Sequence, residues 1–313
     1  MSTNGSKLQY LYKKHLSHFL EWDQKSHSKD WLLYPKNIGP YLSLDETSFT
    51  NGELYTLLTN KEALGKKGSI VALIKGTKSM DIIQIINKIG IEKRDLVKEI
   101  TVDMAGSMNK IARKCFKKAE LVTDRFHVQK LALEAVQQIR IDYRWTALET
   151  ENEEISKAKE NQIKYSPEQL ENGETRRQLL ARSRYQLFKC QNKWTDSQIE
   201  RGKLLFREYP DIEKAYKLSE YLKYIFENNT DKNIARVKLA KWFNEVEESK
   251  FKSFNTISNT IQNHYETILN YFQHRSTNAS AESFNAKIKA FRAQFRGVRD
   301  IEFFLFRLCN IYA

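Results

Sequence analysis

The sequence predicts an α/β protein in which a mixed sheet, with helices on both faces, is interrupted by a large all-helical insertion. Three patterns predict it: short alternating apolar and polar runs before residue 76, helical spacing of apolar residues through residues 131–274, and one more amphipathic helix pattern after residue 275.

The strands and helices follow in order. YLSLDETSF (41–49) alternates and leads into the Asn51-Gly52 turn signal. ELYTLLTN (53–60) and, after a Gly- and Lys-rich loop, GSIVALIKG (68–76) complete an antiparallel meander. Residues 79–89 (SMDIIQIINKI) have helical periodicity, VKEITVD (97–103) reads as a strand ending at Asp103, MNKIARKCF (108–116) as a short helix and AELVTD (119–124) as a fifth strand. Three antiparallel strands, helix, strand, helix, strand is the order of the ribonuclease H-like fold. There the fourth strand lies beside the first, which makes Asp45 and Asp103 neighbours and puts Asp124 one strand further out.

The helical region is built from LALEAVQQIRIDYRW, TRRQLLARSRYQLF, DSQIERGKLLFREY, AYKLSEYLKYIF, IARVKLAKWFNEVEES and TISNTIQNHYETILNYF, each with spaced apolar residues. Residues 149–174 are polar and are expected to be exposed. Trp145, Trp194 and Trp242 are read as core, with stacking on an unpaired base as the alternative. The expected organisation is an N-terminal helical segment (1–37), a first part of the sheet domain (38–130), the insertion (131–274) and the final helices (275–313).

The last segment places a third acid. Ser276 or Thr277 can cap a helix through NASAESFNAKIKAFRAQFRG that stops at Gly297. Ala281, Phe284, Ile288, Phe291 and Phe295 form an apolar stripe; Asn278, Glu282, Asn285, Lys289, Arg292 and Arg296 form another that starts acidic and turns basic. Lys287 and Arg299 add to the basic cluster, which is suited to DNA phosphates.

Asp45, Asp103 and Glu282 together suit a site for two divalent ions. Phosphodiester cleavage needs an activated water or 3′-hydroxyl and a stabilised leaving oxygen, which two ions about 4 Å apart supply. Mg²⁺ takes hard oxygen ligands and needs only one or two carboxylates beside substrate phosphate. Taken one at a time the acids have structural readings: Asp45 as a strand-end acid, Asp103 as a helix cap, Glu282 as a first-turn acid favoured by the helix dipole.

Composition agrees with a DNA substrate. Lys and Arg number 52 against 39 for Asp and Glu, a net charge of +13 with a pI near 9.4, and such an excess favours polyanions through counterion release. The three cysteines, Cys115, Cys190 and Cys309, are far apart and odd in number, so neither a disulfide framework nor a zinc knuckle is indicated. No signal-type or membrane-spanning apolar run occurs, and a cytoplasmic, nucleoid-associated protein without a membrane partner is expected. His15, His18, His27, His264 and His274 lack metal-ligand spacing.

DETSF, TVDMAGS, TDRFHVQK and STNASAESFNAKIK resemble the corresponding segments of DDE transposases of the ISL-three insertion-sequence group, with the ISAon-one type of Bacteroidetes the nearest likeness, over essentially the whole chain. The resemblance implies a ribonuclease H-like catalytic domain interrupted by a helical insertion, with Asp45, Asp103 and Glu282 as the catalytic triad and Mg²⁺ or Mn²⁺, two ions per site, as cofactor. It also implies an Asp-x-x-His signature, matched by Asp124-Arg125-Phe126-His127. His127 is left between a catalytic aid, a DNA contact and a structural partner of Asp124, and Arg125 is a candidate DNA contact. Typical members of the larger family begin with a cysteine-rich zinc-binding module and a helix-turn-helix, whereas this sequence starts with KLQYLYKKHLSHFLEW and reaches the first predicted strand within about 40 residues; the module is therefore expected to be supplied by a separately encoded DNA-binding partner, with at least a dimer in the synaptic complex. The expected function is cleavage at element ends and strand transfer into target DNA; a ribonuclease H-like nuclease and a non-catalytic DNA-binding protein derived from a transposase are the alternatives.

Overall fold

Six strands form one mixed sheet: β1 (Trp31–Leu33), β2 (Tyr41–Ser48), β3 (Leu54–Asn60), β4 (Ile70–Lys75), β5 (Glu99–Val102) and β6 (Glu120–Thr123), in the order β1-β4-β3-β2-β5-β6. The computed structural model describes residues 5–49, 52–277, 279–294 and 300–313. Its helices are α1 (Gly5–Leu11), α2 (Ser79–Ile86), α3 (Ile91–Arg94), α4 (Gly106–Cys115), α5 (Arg125–Glu160), α6 (Arg176–Arg182), α7 (Asp196–Glu208), α8 (Pro210–Glu227), α9 (Lys232–Ser249), α10 (Lys252–Asn263), α11 (Tyr265–His274), α12 (Ala279–Gln294) and α13 (Ile301–Tyr312). The chain divides into two units, Met1–Asp124 with His274–Ala313, and Arg125–Gln273.

In the first unit the sheet is covered on both faces, and the alternation along β2 decides which residues go where. Leu42 and Leu44 point to one face, where they join Leu58, Ala72, Ile100 and Val102 beneath Ile82 and Ile86 of α2 and Met108 and Ile111 of α4. Asp45 points to the other face, on which its cross-strand partner Leu57, with Tyr55 and Leu73, is buried by Phe284, Ile288 and Phe291 of α12 and Phe304, Leu305 and Leu308 of α13. Both apolar stripes are thus consumed by the same sheet. A mixed α/β unit of this order is consistent with the ribonuclease H-like arrangement expected from the sequence.

The expected N-terminal helical segment contains a strand. β1 is only three residues long and pairs antiparallel with the distant β4, from Trp31 opposite Ile74 to Leu33 opposite Ala72. Too short for a period of its own, it is stabilised by that non-local ladder. Phe19 ahead of it packs edge-on against Phe303 and Phe306, which ties the segment to α13.

In the second unit the described regular elements are helices. The polar stretch from 149 onward does not break the first of them: α5 runs 36 residues to Glu160, its outer half solvated, and only residues 161–174 lack regular structure. TISNTIQNHYETILNYF instead forms two helices, α10 and α11, because the chain turns at His264. Trp242 is fully buried, with its indole N–H donating to Leu218 O at 2.9 Å. Trp145 is not core, since 59% of it is exposed on α5.

Trp194 is held by an unusual neighbour. A Cβ at Gly202 in α7 would lie 2.3 Å from its ring and 2.6 Å from Gln186 Nε2, so glycine is required for the close approach. Helix propensity alone favours alanine by about 1 kcal/mol, but a rigid indole cannot yield as a flexible chain end does. Gly202→Ala is therefore expected to destabilise the protein by about 1–3 kcal/mol, as overpacking does; chemical denaturation that found the variant more stable would contradict this packing.

Candidate active site

The parallel register lines up three acids. Tyr41, Leu42 and Ser43 of β2 pair with Glu99, Ile100 and Thr101 of β5. The same offset, carried one pleat beyond the last paired residues, would bring Asp45 level with Asp103, and the charges of both acids act on Glu46. β5 pairs with β6 from Glu99 opposite Glu120 to Val102 opposite Thr123, and Asp124 N donates to Val102 O at 3.0 Å, so Asp124 follows in the same row. Neighbouring strands are about 4.8 Å apart, a separation that one cation with ligand bonds of about 2.1 Å can bridge. The row lies where β2 and β5 lose their pairing.

Each carboxylate is oriented by local hydrogen bonds. Asp45 Oδ1 accepts from Glu46 N at 2.8 Å and Oδ2 from Asn285 Nδ2 at 2.8 Å. Asp103 Oδ1 accepts from Ala105 N at 2.8 Å, and Asn109 Nδ2 donates to the Asp103 carbonyl at 3.2 Å. Asp103 thus closes a turn ahead of α4, whose N-cap is Ala105 and has no side-chain cap bond, so Asp103 is not itself the helix cap. Its second oxygen has no hydrogen-bond or ion-pair partner among the described residues. Asp124 is buried, 1% exposed, at the outer end of the row.

Glu46, singled out by nothing in the sequence beyond its place after Asp45, belongs to the same electrostatic cluster. Burial raises its carboxyl above the usual range, and the charges of Asp103 and then Asp45 push it further. The acids therefore share a negative field that protons or cations would relieve. The donor set of hard oxygens and a buried amide oxygen of Asn285 without a partner among the described residues both fit a divalent cation. Among the described residues no three His, Cys, Asp or Glu side chains come together in a metal-holding group; the Glu282 side chain lies outside them.

The remaining candidates separate clearly. Glu282 is in α12, three positions before Asn285. Asn278, Arg296 and Arg299 lie outside the described residues, as do the expected stop at Gly297 and the turn residue Asn51. Asn285, expected to contact DNA, is bonded to Asp45. Lys287 donates to Gly65 O at 2.9 Å, a bond within the fold, whereas Lys289 is exposed and Arg292 half-buried. Arg125 lies over the Tyr271 ring, 5.9 Å from its centroid, and His127, in the first turn of α5, packs edge-on with Phe126.

Other chemistries find less support. Burial pushes the Cys115 thiol up to about 11 and the Cys309 thiol up to about 12, which keeps both protonated and inert. A cavity of about 250 Å³ in the second unit is bordered by Tyr143, Tyr209, Arg176 and Arg177. Its arginines are paired with Glu168, Glu208 and Glu151, so it does not present free cations to a phosphate. Among the described residues no helix is long and apolar enough to cross a membrane.

The raised Glu46 carboxyl has a measurable consequence. Its native form holds a proton more firmly than the unfolded chain does, so its contribution to stability is full below the ordinary value of 4.5 and is lost as pH rises through the folded value. Glu46→Gln is accordingly expected to melt higher than the parent at pH 7 in chelator, with the advantage shrinking to nothing as pH falls below that ordinary value. Equal melting temperatures across the range would show that the acids do not share a field.

A family model described as a transposase, the DDE type of the ISL3 group, matches residues 42–308. No match among curated proteins or solved structures reached significance. The matched span runs from the second residue of β2 to the last turn of α13 and takes in all three acids in sequence, both covering layers of the sheet and the helical unit between them. On that match the chain belongs to the ISL3 family of DDE transposases.

Proposed function

We propose that the protein cuts the phosphodiester bond at insertion-sequence ends and joins the freed 3′-hydroxyl to target DNA, in a ribonuclease H-like unit interrupted by a helical insertion. The reading is supported by the parallel register of β2 and β5, which carried forward brings Asp45 level with Asp103 just past β5, and by α12 packing on the same face of the sheet. Asp45, Asp103 and Glu282 would hold two Mg²⁺ or Mn²⁺ ions. When bound, such ions activate the attacking oxygen and stabilise the leaving one.

The chain's own residues do the rest by positioning. Glu46 N–H and Asn285 fix Asp45, and the Ala105 N–H fixes Asp103, so neither carboxylate must be ordered when DNA arrives. Lys289 and Arg292, with Arg296 and Arg299 further along the sequence, supply cations for the DNA backbone, and the net charge of +13 draws DNA in through counterion release. Asp124 buttresses the row, and two copies of the chain would pair two DNA ends. Localisation at the nucleoid accords with such a substrate.

Asp45→Asn, Asp103→Asn and Glu282→Gln test the reading directly. Each is expected to reduce metal-dependent cleavage of an element-end duplex by about 10²-fold or more, the scale already reached by losing an outer partner of a metal ligand, while DNA binding at fixed salt persists. Cleavage by Asp45→Asn at the parental rate would sink the two-ion reading. Cleavage without joining in a strand-transfer assay would instead identify a nuclease.

A further inference from the structure

The contact between Asn285 and Asp45 has a chemistry of its own. Phe284, Ile288 and Phe291 anchor α12 in the core, and that anchoring delivers Asn285 to the acid row with Nδ2 2.8 Å from Asp45 Oδ2. A carboxylate at neutral pH only accepts, so the amide nitrogen must face it and the carbonyl oxygen must turn away. That oxygen is buried and has no hydrogen-bond partner among the described residues. Burying an unsatisfied acceptor costs stability, and a packing role alone would be served better by an apolar side chain of the same shape.

We infer that Asn285 is a positioning residue for divalent-cation binding: its N–H holds one Asp45 oxygen in place while its neutral carbonyl oxygen remains beside the acids as a hard acceptor. This deepens the proposed function and rests on it. The residue type is apt. Lysine or arginine could hold the same oxygen but would cancel the negative field and repel the cation, whereas an amide donates without adding charge. Outer partners of ligating carboxylates act in this way, fixing orientation and tuning affinity.

Mn²⁺ binding to the full-length protein, followed by the electron paramagnetic resonance signal of the free ion, tests the inference apart from activity. Asn285→Leu keeps the shape and removes both polar groups; it is expected to weaken Mn²⁺ binding about 10-fold or more and to raise the Mg²⁺ concentration for half-maximal cleavage by the same factor, with no fall in melting temperature. Asn285→Ser, too short to hold Asp45, is expected to show the same loss and decides the matter if the leucine variant does not fold. Parental Mn²⁺ affinity in the folded Asn285 variants would overturn the inference. Asp45→Asn in the same titration separates the two levels: if it binds Mn²⁺ weakly while the Asn285 variants bind normally, only the role of Asn285 fails, and if it too binds normally, the metal reading fails with it.

Discussion

Alternation of side chains along β2 constrains everything built around it. Leu42 and Leu44 commit one face of the sheet to α2 and α4, so Ser43 and Asp45 belong to the face on which α12 and α13 pack. A slip of one residue against β5 would exchange the two sets, burying Asp45 in an apolar layer and pushing leucines against Asn285. Because both faces are covered, that slip is penalised twice. The register that buries the core is thus the same register that sets Asp45 next to Asp103, and core and site stand or fall together.

The same sheet face treats its acids in two ways. Towards the beginnings of β5 and β6, buried Glu99 accepts from Lys61 Nζ at 2.8 Å, Lys61 also reaches Thr101 at 2.7 Å, and His274 lies 2.7 Å from Glu120. The Glu99 charge is matched by Lys61, as a buried charge ordinarily must be. Towards the strand ends, Asp103 has no basic partner among the described residues, and burial, followed by the charges of Asp103 and Asp45, raises the carboxyl of the adjoining Glu46. Within a few residues along one strand, pairing gives way to concentrated negative charge. The contrast separates acids that hold the fold together from acids left without a matching charge.

Much of this could be read in the residues themselves. The three-strand meander, α2, α4 and the strands ending near Asp103 and Asp124 have runs long enough, and turn signals clear enough, for local pattern to win. β1 could not be read, because three residues carry no period and its order comes from β4. The length of α5 was hidden for the opposite reason: its outer half is a solvated helix without an apolar stripe, and polar composition alone resembles a loop. Two candidate DNA contacts turned inward. A lysine or asparagine on a basic stripe looks the same whether it meets a phosphate, as Lys289 still can, or the Gly65 carbonyl and the Asp45 carboxylate, as Lys287 and Asn285 do. Charge pattern reports the helix face, and only the fold reports what lies opposite it.

That the first unit is assembled from two stretches separated by residues 125–273 bears on the order in which it can form during synthesis. At about 5–20 residues per second, the ribosome completes the strands roughly 8–30 seconds before it reaches α12. In that interval Tyr55, Leu57 and Leu73 have no helical cover, and Asp45 has no amide to hold it. A polypeptide abandoned partway would therefore display an uncovered apolar sheet face and an unheld acid, the kind of exposed surface that chaperones and proteases engage.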